Sequence, residues 1–111
     1  MASTVAMFNG LSGLNANARF LDVTGNNIAN VNTTGFKHSR VHFQTMISRT
    51  RSMGGPPDEF TGGTNPTQIG LGVNIANVQR DFGGGTISAT GVPGDMAIDG
   101  NGFFITRRDS E

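Results

Sequence analysis

The stretch Val5–Lys37, VAMFNGLSGLNANARFLDVTGNNIANVNTTGFK, decides how this chain of 111 residues is organised. Its first part is an apolar seam. Met7, Leu11, Leu14, Ala18, Leu21, Gly25 and Ile28 follow one another at intervals of 4, 3, 4, 3, 4 and 3, the a/d pattern of a coiled-coil helix. Ser3 or Thr4 can cap its start by accepting from the first free N–H groups. Asn15, Asn17, Arg19 and Thr24 suit an outer face, while Phe8 and Phe20 widen the apolar one. A helix from about Ser3 to Asn30 would be roughly 40 Å long. A helix that long with so thin a stripe is held by packing rather than by propensity. No second comparable helix follows, so a partner helix from another segment or another subunit is implied. The second part, Asn26 to Gly35, must end the helix. Asn side chains compete for local backbone hydrogen bonds. Asn30 or Asn32 can take the left-handed conformation of a C-cap, and Gly35 accepts it freely. Phe36 is placed to bury itself where the chain changes direction.

The composition suits a part of a larger assembly better than a self-sufficient globule. Hydrophobic residues make up 35%, Trp and Tyr are absent, and there are 17 Gly. A chain this small also buries a reduced share of its surface. Charge does not drive it to disorder, since charged residues are 14% and the formal net charge is zero. That neutrality hides a split. Arg19, Lys37, Arg40, Arg49 and Arg51 face only Asp22 before residue 56, whereas seven acids face Arg80, Arg107 and Arg108 after it. With no Cys, a disulfide framework is excluded and a zinc site is improbable. No stretch approaches the roughly 20 apolar residues of a membrane span. The first six residues lack the basic region and apolar core of a secretory signal peptide.

Beyond the signature, Arg40-Val41-His42-Phe43 allows a short strand, and Phe43-Gln44-Thr45-Met46-Ile47 could equally form a helical turn. Ser48 to Pro66 reads as a connector, with Gly54-Gly55-Pro56-Pro57 and Gly62-Gly63-Thr64-Asn65-Pro66 as turn clusters. From Ile69 the period changes to two, giving a strand from about Val73 to Phe82. Gly83-Gly84-Gly85 is a turn, Thr86–Thr90 a second strand, and Met96–Thr106 a hairpin about Asn101-Gly102. The expected fold is α+β: a long N-terminal coiled-coil-type helix, an extended connector and a small antiparallel β region that begins an outer domain. The boundaries fall at 1–34, 35–68 and 69–111.

Chemistry-bearing constellations are sparse. No Ser/His/acid spacing suggests a nucleophile. Asp58-Glu59 lies in the connector, where nothing would shift its pKa values. Asp95 and Asp99 read as turn residues. His38 and His42 have metal-binding spacing but no nearby carboxylate or Cys to complete a site. Lys37, Arg40, Arg49 and Arg51 beside Phe36 and Phe43 make a weak nucleic-acid footprint. No catalytic residue, metal ligand or cofactor is therefore expected, and neither nucleic acid nor a membrane span.

Gly25-Asn26-Asn27-Ile28-Ala29-Asn30-Val31-Asn32-Thr33-Thr34-Gly35-Phe36-Lys37, preceded by Leu11-Ser12-Gly13-Leu14, resembles the N-terminal signature of bacterial flagellar rod and hook proteins. Within it, Asn26, Asn27, Ala29, Asn30, Thr34, Gly35, Phe36 and Lys37 carry the match. The likeness continues through Gln68-Ile69-Gly70-Leu71-Gly72-Val73 and Asp95-Met96-Ala97-Ile98-Asp99-Gly100-Asn101-Gly102-Phe103-Phe104. Gly63-Thr64-Asn65-Pro66 looks most like the hook members of the family, with the distal rod members next. The resemblance implies a structural, non-enzymatic subunit that polymerises with itself and meets other axial proteins in the tube joining rod to filament. It implies that Met7, Leu11, Leu14, Ala18, Leu21 and Ile28 pack against a C-terminal helix of the same protein. It implies export through the flagellar type III apparatus without a cleavable signal peptide, with Phe43 and Ile47 anchoring a Phe-x-x-x-apolar element read by the export gate. Because family members carry a C-terminal helix and this sequence contains none, the resemblance further implies an N-terminal fragment, a split product or an incomplete reading frame. The lone helix would then be partly unfolded or self-associated, and a hook would not assemble. A non-polymerising module that binds one partner through the helix is the alternative from a different class.

Overall fold

The computed structural model describes residues 2–109. It is α+β, with one long helix, α1 (Ala2–Ala29), and four strands: β1 (Ser39–Thr45), β2 (Arg49–Ser52), β3 (Thr67–Ile69) and β4 (Val73–Arg80). The strands form two antiparallel ladders, β1 with β4 and β2 with β3. They nest, so the chain from residue 39 to residue 80 makes a single long ribbon that doubles back at the far end. Residues 35–68 thus carry β1, β2 and the start of β3. The molecule is elongated, with extents of 83 × 35 × 32 Å.

The helix runs over 28 residues without a break. Thr4 stands inside it and caps nothing, while the side chain of Ser3 lies outside the described residues. The end is not made as the sequence suggests. Among the described residues no non-glycine residue has a positive φ, so neither Asn30 nor Asn32 forms a left-handed cap. Instead the helix tightens through successive three-residue turns: Val31 N–H donates to Ile28 O at 3.2 Å, Thr33 to Asn30 O at 3.0 Å and Phe36 to Thr33 O at 3.2 Å. Such tightening satisfies carbonyls that an abrupt end would orphan. Only then does the chain turn, at Gly35 with φ of 73°, a conformation a side chain resists.

The ribbon's inner ladder is registered by Val41 opposite Val78 and Ser39 opposite Arg80, with a bulge where His42 faces Asn77 and Phe43 faces Ile75. One face of this ladder lies on the helix. Ala16 of α1 and Val41 of β1 are the buried apolar side chains among the described residues, at 5% and 7% exposure. The rings of Phe20 and Phe43 meet beside them at 5.9 Å, tilted by 51°. The other face carries Arg40, His42 and Gln79, and His42 Nε2 lies 3.0 Å from Gln79 Oε1. An antiparallel pair with one face covered and one wet follows this polar-out pattern.

Past β4 the expected elements are absent. Residues 81–109 form no strand, so neither Thr86–Thr90 nor the Met96–Thr106 hairpin takes ladder geometry. Gly91, Gly94 and Gly100 have positive φ there, and a lone hairpin with no third strand or covering helix is marginal in water. The segment is held back by an edge-to-face contact of Phe82 with Phe103, with ring centres 5.7 Å apart.

Candidate interaction surfaces

The helix has two faces of opposite character, and the ribbon uses the less apolar one. At about 100° per residue, Asn9, Ser12, Ala16, Phe20, Val23 and Asn27 line one side. Met7, Leu11, Leu14, Ala18, Leu21 and Ile28 line the other. The first side is fastened to the ribbon by side-chain amides and a hydroxyl. Asn9 Nδ2 donates to Gly70 O at 2.8 Å. Ser12 Oγ donates to Asn9 O at 2.7 Å and accepts from Val73 N–H at 3.2 Å. Fifteen residues further along, Asn27 Nδ2 donates to Ser39 O at 2.7 Å while its Oδ1 accepts from Ser39 N–H at 3.0 Å. Each bond contributes about 0.5–1.5 kcal/mol.

Gly72 is what lets the near fastening form. Its φ is 108°, and a Cβ there would sit 2.2 Å from Ser12 Oγ. Gly72 O also accepts from Met46 N–H at 2.9 Å, which carries the ladder across the gap between β1 and β2.

The apolar seam is left uncovered by the other described residues. Met7 is 74% exposed, Leu14 70%, Leu21 66% and Ile28 67%. Thr4, Met7, Phe8, Leu11 and Leu14 line a shallow apolar groove along the first half of the helix.

The signature residues divide by task. Asn30 Nδ2 donates to Asn26 O at 2.8 Å and to Asn26 Oδ1 at 3.0 Å, and Thr33 Oγ1 donates to Asn30 Oδ1 at 3.1 Å. These bonds close the last turn. Asn27 ties that turn to β1. Lys37 Nζ donates to Gly83 O at 2.8 Å, which fixes the exit of β4 beside the joint, and Phe36 is half-buried there. Ala29 and Thr34 are exposed. His38 faces Asp81 at 3.4 Å, so the two histidines have separate partners. Phe43 lies in β1 against Phe20, and Ile47 is exposed between β1 and β2. Sequence reasoning missed Asn9, Ser12 and Gly72 as fasteners. Their only signal is a row of small and polar residues opposite the seam. Among the described residues no helix is long and apolar enough to cross a membrane, and no three His, Cys, Asp or Glu side chains gather.

Residues 7–37 match the family model described as flagella basal body rod protein. Over 102 residues, 92% of the chain, it is 45% identical to the flagellar hook protein FlgE of Treponema pallidum (strain Nichols), of which it covers 22%. It is 46% identical over 102 residues to the FlgE of Borreliella burgdorferi, covering 92% of the chain and 23% of that protein. It is 44% identical over 99 residues to the flagellar basal-body rod protein FlgG of Bacillus subtilis (strain 168), covering 89% of the chain and 38% of that protein. The chain therefore spans between about a fifth and two fifths of the length of these relatives.

Proposed function

The chain belongs to the family of flagellar rod and hook proteins, and from that footing we propose that it is a structural subunit of the flagellar hook, polymerising into the tube that joins rod to filament. The observation that supports this most is the exposed seam Met7, Leu11, Leu14, Ala18, Leu21 and Ile28 on a helix whose opposite face is already committed to the ribbon. Such a helix has one partner in the chain and needs a second along its whole length. Packing from a neighbouring helix of the same protein or of another subunit meets that need, as a/d seams do. The subunit works by shape and burial and carries no catalytic step or cofactor. Its partners are other copies of itself and the adjoining axial proteins of the flagellum.

The test is assembly. Leu11→Asn with Leu14→Asn should abolish tube formation seen by electron microscopy while leaving amide protection of Val41 intact. Tubes of normal number from that variant would overturn the proposal, and a soluble one-to-one complex with another protein in place of tubes would favour a non-polymerising binding module.

A distal rod subunit is the second reading, favoured by the 44% identity to a rod protein. Immunogold labelling separates the two: the hook reading expects label outside the cell envelope, the rod reading within it.

Export is proposed to run through the flagellar type III apparatus without a cleavable signal peptide, with Phe43 and Ile47 as the element recognised at the gate. Both would be read before folding, because Phe43 is part of β1 once the ribbon forms. Ile47→Ala is the cleaner test, since Ile47 is exposed at 85% and its loss leaves the fold alone. Secretion of that variant at the normal rate would remove Ile47 from the element.

A further inference from the structure

We infer that Asn101 is a site of spontaneous covalent modification, in which its side-chain amide is converted to the carboxylate of aspartate or isoaspartate through the main-chain nitrogen of Gly102. The sequence holds the pair Asn-Gly twice, at Asn9-Gly10 and Asn101-Gly102. The structure treats the two in opposite ways.

The reaction is an intramolecular acyl transfer. A solvent base removes the proton of the Gly102 amide, and that nitrogen attacks Asn101 Cγ. A bond forms between Gly102 N and Cγ, the Cγ–Nδ2 bond breaks, and Nδ2 leaves as ammonia with protons from water. Water then opens the resulting five-membered imide. Cleavage between nitrogen and Cγ gives aspartate; cleavage between nitrogen and the main-chain carbonyl carbon gives isoaspartate. No oxidant, reductant or cofactor takes part. The local requirements are a main-chain N–H free of a hydrogen bond, a following residue with no side chain to block the approach, and a backbone able to rotate.

Asn101-Gly102 meets all three. Both residues are exposed and belong to no helix or strand. Among the described residues, Gly102 N–H donates to no backbone acceptor outside the regular elements. Gly100, just ahead, has φ of 109°. Asn9-Gly10 shares the glycine but meets neither of the other two. It lies inside α1, where the Gly10 N–H is part of the i→i−4 ladder. The Asn9 amide is engaged with Gly70 O at 2.8 Å. Helical backbone also holds the nitrogen away from the side-chain carbon. The same dipeptide is thus open in one place and locked in the other.

The product has local consequences. A carboxylate at residue 101 joins Asp95 and Asp99, and the formal net charge of zero becomes negative. Isoaspartate also adds a methylene to the main chain just before Phe103, whose ring holds the segment to Phe82.

The experiment incubates the 111-residue chain at neutral and mildly alkaline pH, in buffer and in concentrated urea. Peptide mapping by mass spectrometry follows both asparagines, and isoaspartate is confirmed with an isoaspartyl methyltransferase. In buffer, Asn101 should react on the order of tenfold or more faster than Asn9, whose rate is limited by local opening of the helix. The gap should close in urea, the rate should rise with pH, and Gly102→Val should slow Asn101 without touching Asn9. Equal rates for the two sites in buffer, or an Asn101 rate in buffer well below its rate in urea, would overturn the inference.

Discussion

The carboxamide of Asn27 meets the main chain of Ser39 as a second peptide group would, giving one bond at 2.7 Å and taking one at 3.0 Å. A side chain on the last turn of α1 thereby occupies the pairing position at the start of β1. The segment between them is closed into a loop whose ends cannot drift apart while the clasp holds. The signature stretch is therefore a joint with a defined geometry.

Removing the clasp should loosen the joint ahead of the rest of the fold. Asn27→Ala strands both main-chain groups of Ser39, and Asn27→Asp turns a donor into a second acceptor facing Ser39 O. Each is expected to cost about 1–3 kcal/mol. The check is hydrogen exchange at the Ser39 amide, which should accelerate in both variants, with the helix signal in circular dichroism little changed under native conditions.

Gly72 and Ser12 are expected to be coupled. Gly72→Ala puts a methyl on Ser12 Oγ and forces alanine to φ of 108°, a strain of about 1–3 kcal/mol. Ser12→Ala relieves the clash with Oγ but also removes the acceptor for Val73 N–H. The double variant should lose less stability than the sum of the single ones, as contacting sites do. Urea titrations of the four proteins measure this, and strict additivity would mean the two residues do not meet.

Apolar substitutions on α1 and β1 should sort by face, not by residue size. Val41→Ala empties a buried site and is expected to cost about 2 kcal/mol. Leu14→Ala removes more atoms but from an exposed site, and should change stability of the single chain by no more than about 0.5 kcal/mol. Its effect belongs in sedimentation or assembly measurements. Thermal and urea unfolding of the two variants side by side check the order.

Phe20 and Phe43 offer a direct reading of helix–ribbon docking. Their rings are 5.9 Å apart, a tilted contact that adds about 0.5–1.5 kcal/mol beyond area burial. A double-mutant cycle with Phe20→Leu and Phe43→Leu should return a coupling of that size. It would also show how much of any secretion defect at Phe43 comes from folding.

Much of the fold was legible in the sequence, and the parts that were not share a cause. The seam from Met7 to Ile28 predicts the helix almost to the residue, and the period-two stretch after Ile69 predicts β4. Those are patterns of apolar spacing, which sequence displays openly. The face that docks on the ribbon is written in Asn9, Ser12, Ala16 and Asn27. Small and polar side chains there signal nothing until the main-chain groups they bond are in place. The same applies to the ribbon's outer end. Arg49-Thr50-Arg51-Ser52 and Thr67-Gln68-Ile69 pair through main-chain atoms, so the segments that flank a loop read as a connector by composition form a ladder in space. Beyond Phe82 the error ran the other way: an Asn-Gly turn between apolar residues encodes a hairpin only where something covers it.

The two faces of α1 also respond differently to temperature. Contacts through apolar side chains expose much nonpolar surface when broken, carry a large heat-capacity change and weaken on cooling. The bonds from Asn9, Ser12 and Asn27 to Gly70, Val73 and Ser39 expose mostly polar groups. Their heat-capacity signature is small or of the opposite sign. In the cold, therefore, the polar fastenings of helix to ribbon hold while apolar contacts, those along the seam most of all, lose some of their strength.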